Sequence, residues 1–173
     1  MKELIDKIEH AFADVRYPGD KDLTDSTYGE EPAALVEDFT GKTIWQDIDV
    51  AFLNQAPSGW GSALAFFSAR AFRFYLPAYL IADIRGELDG PDPVSRLCPS
   101  VTPLGASQKI AKIWGGGTMG ERATAEFAEF NAAQVSAVVA YLWWRLEAIG
   151  GHDLTIEQAL EYYWLERDAG IRD

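Results

Sequence analysis

The chain is poor in the residues from which most catalytic and metal centres are built. Among its 173 residues are one cysteine, Cys98, and two histidines, His10 and His152. A lone cysteine excludes an internal disulfide and a cysteine-rich zinc cluster, and it suits a reducing compartment. Only two histidines leave a histidine-based triad or metal site little to draw on. Positive charge is also scarce: 15 Lys and Arg stand against 27 Asp and Glu, a formal net charge of -12. Such a field repels phosphate backbones and anionic lipid, so neither nucleic acid nor a membrane is an expected partner, whereas a basic protein is. No uncharged apolar run approaches the roughly 18 residues of a membrane span. The N-terminal Met-Lys-Glu-Leu-Ile-Asp carries acids inside its apolar pattern, unlike the continuous core of a signal peptide, and a cytoplasmic protein is expected.

What is present is a globular, aromatic-rich composition, 48% hydrophobic and 13% aromatic with six Trp. Length and composition predict a single domain over residues 1–173, and the periodicities predict a mainly α fold. Leu4, Ile5, Ile8 and Phe12 form one stripe of an amphipathic helix over 2–14. Pro32 opens a short helix that ends at Phe39, and Thr43 is the expected cap of another that carries Ile44, Trp45 and Ile48. Ser68 caps a long helix over 69–86 that is apolar on nearly every face, so it belongs at the centre, kinked or restarted at Pro77. Residues 87–106, with four prolines, read as a long irregular connection, and Ser107 to Trp114 as a short helix ended by glycine. Asn131 with Gln134, and Thr155 with Gln158, have capping-box spacing ahead of two amphipathic helices that should pack together. At most one short strand is expected.

Four groups of residues invite a chemical reading. Gly115-Gly116-Gly117-Thr118-Met119-Gly120 matches G-x-G-x-x-G, but the buried parallel strand and the following acid-bearing strand that a dinucleotide site needs are missing, so it reads as a turn. Asp20, Asp22, Thr24, Ser26 and Glu31 fall at calcium-loop positions, yet Asp25 stands where that loop needs glycine. Glu30, Glu31, Glu37 and Asp38 could pair as acid and base, although acids on a short helix are usually solvated. Tyr141, Trp143 and Trp144, with Tyr162, Tyr163 and Trp164, place aromatics on several faces of the last helices, as core or as interface. No catalytic residue, cofactor or metal is expected from any of them.

Three stretches carry a family resemblance. Phe39-Thr40-Gly41-Lys42-Thr43-Ile44-Trp45, then Ala71-Phe72-Arg73-Phe74-Tyr75-Leu76-Pro77-Ala78-Tyr79-Leu80, then Gln134 to Leu142, together resemble a family of small uncharacterised bacterial proteins. The resemblance implies no activity, cofactor or catalytic residue. The expected function is that of an acidic, soluble binding protein of the immunity or inhibitor type, which neutralises a basic protein partner through Asp20, Asp22, Asp25, Glu30, Glu31, Glu37 and Asp38. The alternative is a small anionic-ligand binder or an enzyme that uses Arg70 and Arg73 near the Pro77 bend.

Overall fold

The computed structural model describes residues 1–26 and 28–170, and of Trp114 only the backbone. The protein is mainly α; the described residues contain no strand, and Lys109 and Thr118 form an isolated antiparallel bridge. The chain folds as two compact units, Met1–Pro93 and the residues from Val94 onward. No helix among the described residues is long and apolar enough to cross a membrane.

In the first unit, α1 (Lys2–Phe12) buries Ile8 and Phe12 of the predicted stripe together with Ala11, leaves Leu4 and Ile5 partly buried, and packs on α5 (Ala69–Ile84). α5 runs through Pro77 as one element, and Phe72, Tyr75, Leu76, Tyr79 and Leu80 are fully buried along it. Proline supplies no N–H to the ladder, so a helix that keeps it inside depends on packing rather than on propensity. Here the packing is aromatic. Phe39, from α2 (Glu30–Phe39), meets Phe67 and Tyr75 edge-on at centroid distances of 4.8 Å, and Phe52 at 4.9 Å. Such pairs are worth about 0.5–1.5 kcal/mol each beyond the area they bury.

Ser68 starts α5 as predicted. It is buried, its Oγ accepts from the N–H of Ala71 at 3.1 Å and donates to the carbonyl of Asp22, and its own N–H donates to the carbonyl of Leu23 at 2.9 Å. Thr43, in contrast, caps nothing. Trp45–Asp47 is a single 3-10 turn preceded by Ile44, and the helix of this region is α3 (Val50–Gln55), capped by Asp49, whose carboxylate accepts from the N–H of Phe52 at 2.8 Å. A short α4 (Ala63–Phe66) leads into Ser68.

In the second unit, the proline-rich stretch holds more local order than its composition suggests. α6 (Val94–Leu97), a 3-10 turn (Pro99–Val101) and α7 (Pro103–Ala106) follow one another, and Pro99 and Pro103 each occupy a first-turn position where the missing N–H is not needed. Thr102 caps α7, accepting from the N–H of Gly105 at 3.1 Å while it donates to the carbonyl of Pro99 at 2.9 Å. Ser107 to Trp114 is not a helix: a 3-10 turn (Lys112–Trp114) ends at left-handed Gly115, and the chain returns to pair Thr118 with Lys109. Thr118 then caps α8 (Met119–Phe127) in a reciprocal box with Glu121, a helix start that the sequence patterns above do not single out.

α9 (Ala132–Ala148) carries the Asn131 and Gln134 box as predicted and buries Val135, Val138, Tyr141 and Leu142. The next cap lies two residues before the expected one: Asp153, not Thr155, caps α10 (Leu154–Ala159), accepting from Thr155 and Ile156, while Glu157 rather than Gln158 reaches back to the N–H of Asp153. One oxygen of the Asp153 carboxylate takes both amides, each at 2.9 Å. α10 widens into a π-helical turn (Leu160–Trp164) and continues as α11 (Leu165–Gly170), which packs on α9. Trp164 is fully buried, and its indole donates to the carbonyl of Leu97 at 3.0 Å.

Candidate functional site

The acids singled out from the sequence lie along the 3-10 turn Asp20–Asp22, the loop after it, and α2. α2 turns Pro32, Leu35 and Phe39 inward, leaving Glu30 and Glu37 exposed. Glu31 and Asp38, two helical turns apart and so on one face, each grip the same loop. The N–H of Ser58 donates to Asp38 Oδ2 at 2.8 Å, and Ser62 Oγ donates to Glu31 Oε1 at 2.8 Å.

The loop between those anchors is tightly folded. Gln55 offers its carbonyl to the N–H groups of Gly59 at 2.6 Å and Gly61 at 3.3 Å, and Trp60 donates its N–H to Pro57 at 2.9 Å. Gly61, at φ 64°, has no room for a side chain, since a Cβ there would come within 2.8 Å of the Asn54 carbonyl. Ser58 also adopts a left-handed conformation, at φ 49°. At the tip, midway between the two anchored serines, Trp60 is 51% exposed, whereas Trp45 and Trp164 are buried. Sequence patterns place Trp60 in a loop and assign it no role; a tryptophan set among proline and glycines, away from any helical stripe, is the signal that could have found it.

The remaining acids are held in different ways. Asp20 accepts from the Tyr17 hydroxyl and from the N–H of Gly41 at 3.0 Å. These two donors, the Tyr17 hydroxyl above all, lower its carboxyl below the ordinary aspartate value. Tyr17 shifts the other way, its phenol pushed up to about 12 chiefly by burial and then by the hydrogen bond to Asp20. Asp22 lies 3.5 Å from Arg70 with both side chains largely solvated, a pair worth about 0–1 kcal/mol. Asp25 is exposed, and Arg73 is partly buried.

The five calcium-loop oxygens do not converge. Asp20 serves Tyr17 and Gly41, Asp22 faces Arg70, Thr24 donates to the carbonyl of Phe66 at 2.6 Å, Ser26 Oγ donates to the carbonyl of Tyr28 at 3.4 Å, and Glu31 holds Ser62. Thr27, inside that loop, lies outside the described residues. Among the described residues no three His, Cys, Asp or Glu side chains gather as metal ligands. The Gly115 to Gly117 run is a turn, all three residues at positive φ, that closes the Lys109 to Thr118 bridge. Of the late aromatics, Tyr141 and Trp164 are core, while Trp143 and Tyr162 are about half exposed.

Two clefts are lined by none of these acids. One in the first unit, of about 220 Å³, is lined by Lys42, Asp47, Asp49 and Phe52, with the Lys42 ammonium 4.1 Å above the Phe52 ring. The other, in the second unit, of about 450 Å³, lies over Thr124, Ala128, Tyr163, Glu166 and Arg167. There Arg167 donates to the Tyr163 hydroxyl at 2.9 Å and to the carbonyl of Phe130 at 3.0 Å. Neither cleft is lined by Arg70 or Arg73.

Residues 1–168 match one family model, described as Family of unknown function (DUF6714). No curated protein and no solved structure matches the chain.

Proposed function

We propose that this chain, which belongs to the DUF6714 family of unknown function, is an acidic binding protein of the immunity or inhibitor type that neutralises a basic protein partner through its first unit. The observation that carries this reading is the uneven placement of charge. Residues 1–93 hold 17 Asp and Glu against 8 Lys and Arg, a net of -9, and so contribute most of the chain's total of -12. The excess is densest from Asp20 to Asp38, where seven acids face the single base Lys21. Within that stretch, Asp25, Glu30 and Glu37 are exposed, while Glu31 and Asp38 frame the Trp60 loop.

An acid-rich surface on a folded scaffold steers a basic partner, raises its on-rate, and penalises acidic competitors. A blocking function needs nothing more, because occlusion of a partner's site requires complementarity rather than chemistry. The alternative, an anionic ligand on Arg70 and Arg73, has no comparable observation behind it.

The test uses purified basic products of the flanking genes, with complex formation measured at low and high salt. A complex that weakens steeply with salt, and weakens again in an Asp25→Asn, Glu30→Gln, Glu37→Gln variant, is the expected result. Absence of any complex, or one indifferent to salt and to those substitutions, refutes the reading.

A further inference from the structure

We infer that Trp60 is the anchor of this acidic surface, and that it receives an arginine side chain of the basic partner on its indole face, between the carboxylates of Glu31 and Asp38. The inference rests on the acidic-binding reading above and names the group that the surface recognises.

Three observations converge on it. The indole is displayed at the surface: it is 51% exposed, against 45% for Trp143, 4% for Trp45 and 0% for Trp164, and of the two exposed rings it is the one that stands beside the acid-rich stretch. Leaving so large an apolar ring half in water forgoes much of the stabilisation that burial would bring. The display is also pre-ordered. Amides of Gly59, Trp60 and Gly61 are bonded within the loop, Gly61 is locked against Asn54, and the loop is fastened to α2 on both sides of Trp60. A partner that binds there has little loop entropy left to remove.

Charge selects the occupant. Tryptophan has the best ring face for a cation, and arginine occupies such faces more often than lysine. A guanidinium laid flat on the indole keeps its N–H groups in its own plane, parallel to the ring, free to donate to carboxylates at the edges. Glu31 and Asp38 supply those acceptors, since a carboxylate that accepts one hydrogen bond retains further lone pairs. A lysine ammonium is a compact point charge without that planar match.

The experiment measures binding of deca-arginine and deca-lysine peptides to the full chain at low ionic strength, for the wild type, Trp60→Ala and Trp60→Phe. Wild type binds deca-arginine more tightly than deca-lysine. Trp60→Ala weakens deca-arginine by about fivefold and deca-lysine by less than about twofold, with Trp60→Phe between wild type and Ala. In parallel, iodide quenching of the difference between wild-type and Trp60→Phe emission reports Trp60 itself, and deca-arginine should shield it. If both peptides bind but Trp60→Ala changes neither, or if Trp60 stays fully quenchable in the complex, the anchor is refuted and the acidic-binding reading stands. If neither peptide binds the wild type at low salt, both readings fall. Trp60→Phe and the quenching measurement keep the test decisive if the alanine variant misfolds.

Discussion

Replacing Ser68 by alanine removes one oxygen and undoes two connections. Ser68 Oγ caps α5 by accepting from Ala71, and it donates to the carbonyl of Asp22, a residue 46 positions earlier in the chain. Loss of a cap costs about 1 kcal/mol. The second bond contributes about 1 kcal/mol net, and more if the Asp22 carbonyl is left without a donor. Alanine at position 68 should therefore destabilise the first unit by about 2 kcal/mol. Ser68 is 4% exposed, so solvent cannot readily stand in for the missing hydroxyl. With a urea dependence of about 2 kcal/mol per molar, the unfolding midpoint moves down by about 1 M at unchanged slope. Hydrogen exchange provides the local readout: the Ala71 amide and the amides of the Asp20–Asp22 turn should exchange faster, while those of α9 keep their protection. A midpoint shift below about 0.3 M would refute the additive cap-and-clamp account.

Further outcomes follow from the second unit and from the phenols. A Cβ on Gly105 would lie 1.7 Å from the Pro99 carbonyl oxygen and 2.8 Å from its carbon, both backbone atoms that cannot swing aside. Gly105→Ala should then destabilise by at least about 2 kcal/mol, and a variant that melts like the wild type would disprove the packing of α7 against the turn before it. Tyr17 tests the alkaline limb of stability: its folded pKa, about 12, stands above the ordinary 10.0, so its contribution is intact below pH 10 and is lost as pH rises toward 12. Burial also raises the phenols of Tyr75 and Tyr79, so the wild type should unfold steeply in that window and Tyr17→Phe less steeply. Ultraviolet titration showing that Tyr17 ionises near 10 would contradict this.

Local chemistry was legible wherever a signal had a single candidate. Ser68, followed by a run apolar on every face, and Asn131, with Gln134 at the required spacing, each announced a helix start that the fold honours. Reading failed where two cappers competed: Thr43 against Asp49, and Thr155 against Asp153. Which of two nearby polar residues ends up at the cap depends on where the apolar face of the helix is drawn into the core, and Leu53 and Ile156 settle that by tertiary contact. Pro99 and Pro103 misled for another reason, since a proline that breaks a helix and one that begins a single turn look alike in sequence.

The surface was harder still. That Asp20, Asp22, Glu31 and Asp38 are fastened to Gly41, Arg70, Ser62 and Ser58 is long-range information, and so is the exposure of Trp60. A list of acids therefore identified the region without separating those that hold the scaffold from those that face solvent.

The π-helical turn at Leu160–Trp164 sets the phase of everything after it. An unbroken α-helix advances about 100° per residue, so one additional residue absorbed in a wide turn leaves every later side chain about that far from where regular winding would put it. Arg167, on the far side of the turn, reaches the carbonyl of Phe130, while Trp164, at its end, reaches that of Leu97. Those two anchors belong to different parts of the chain, and both are met with the turn in place. The C-terminal helix thus works like a key cut to one depth: its spacing is fixed to the single residue, although nothing in its composition distinguishes it from a helix free to lengthen or shorten.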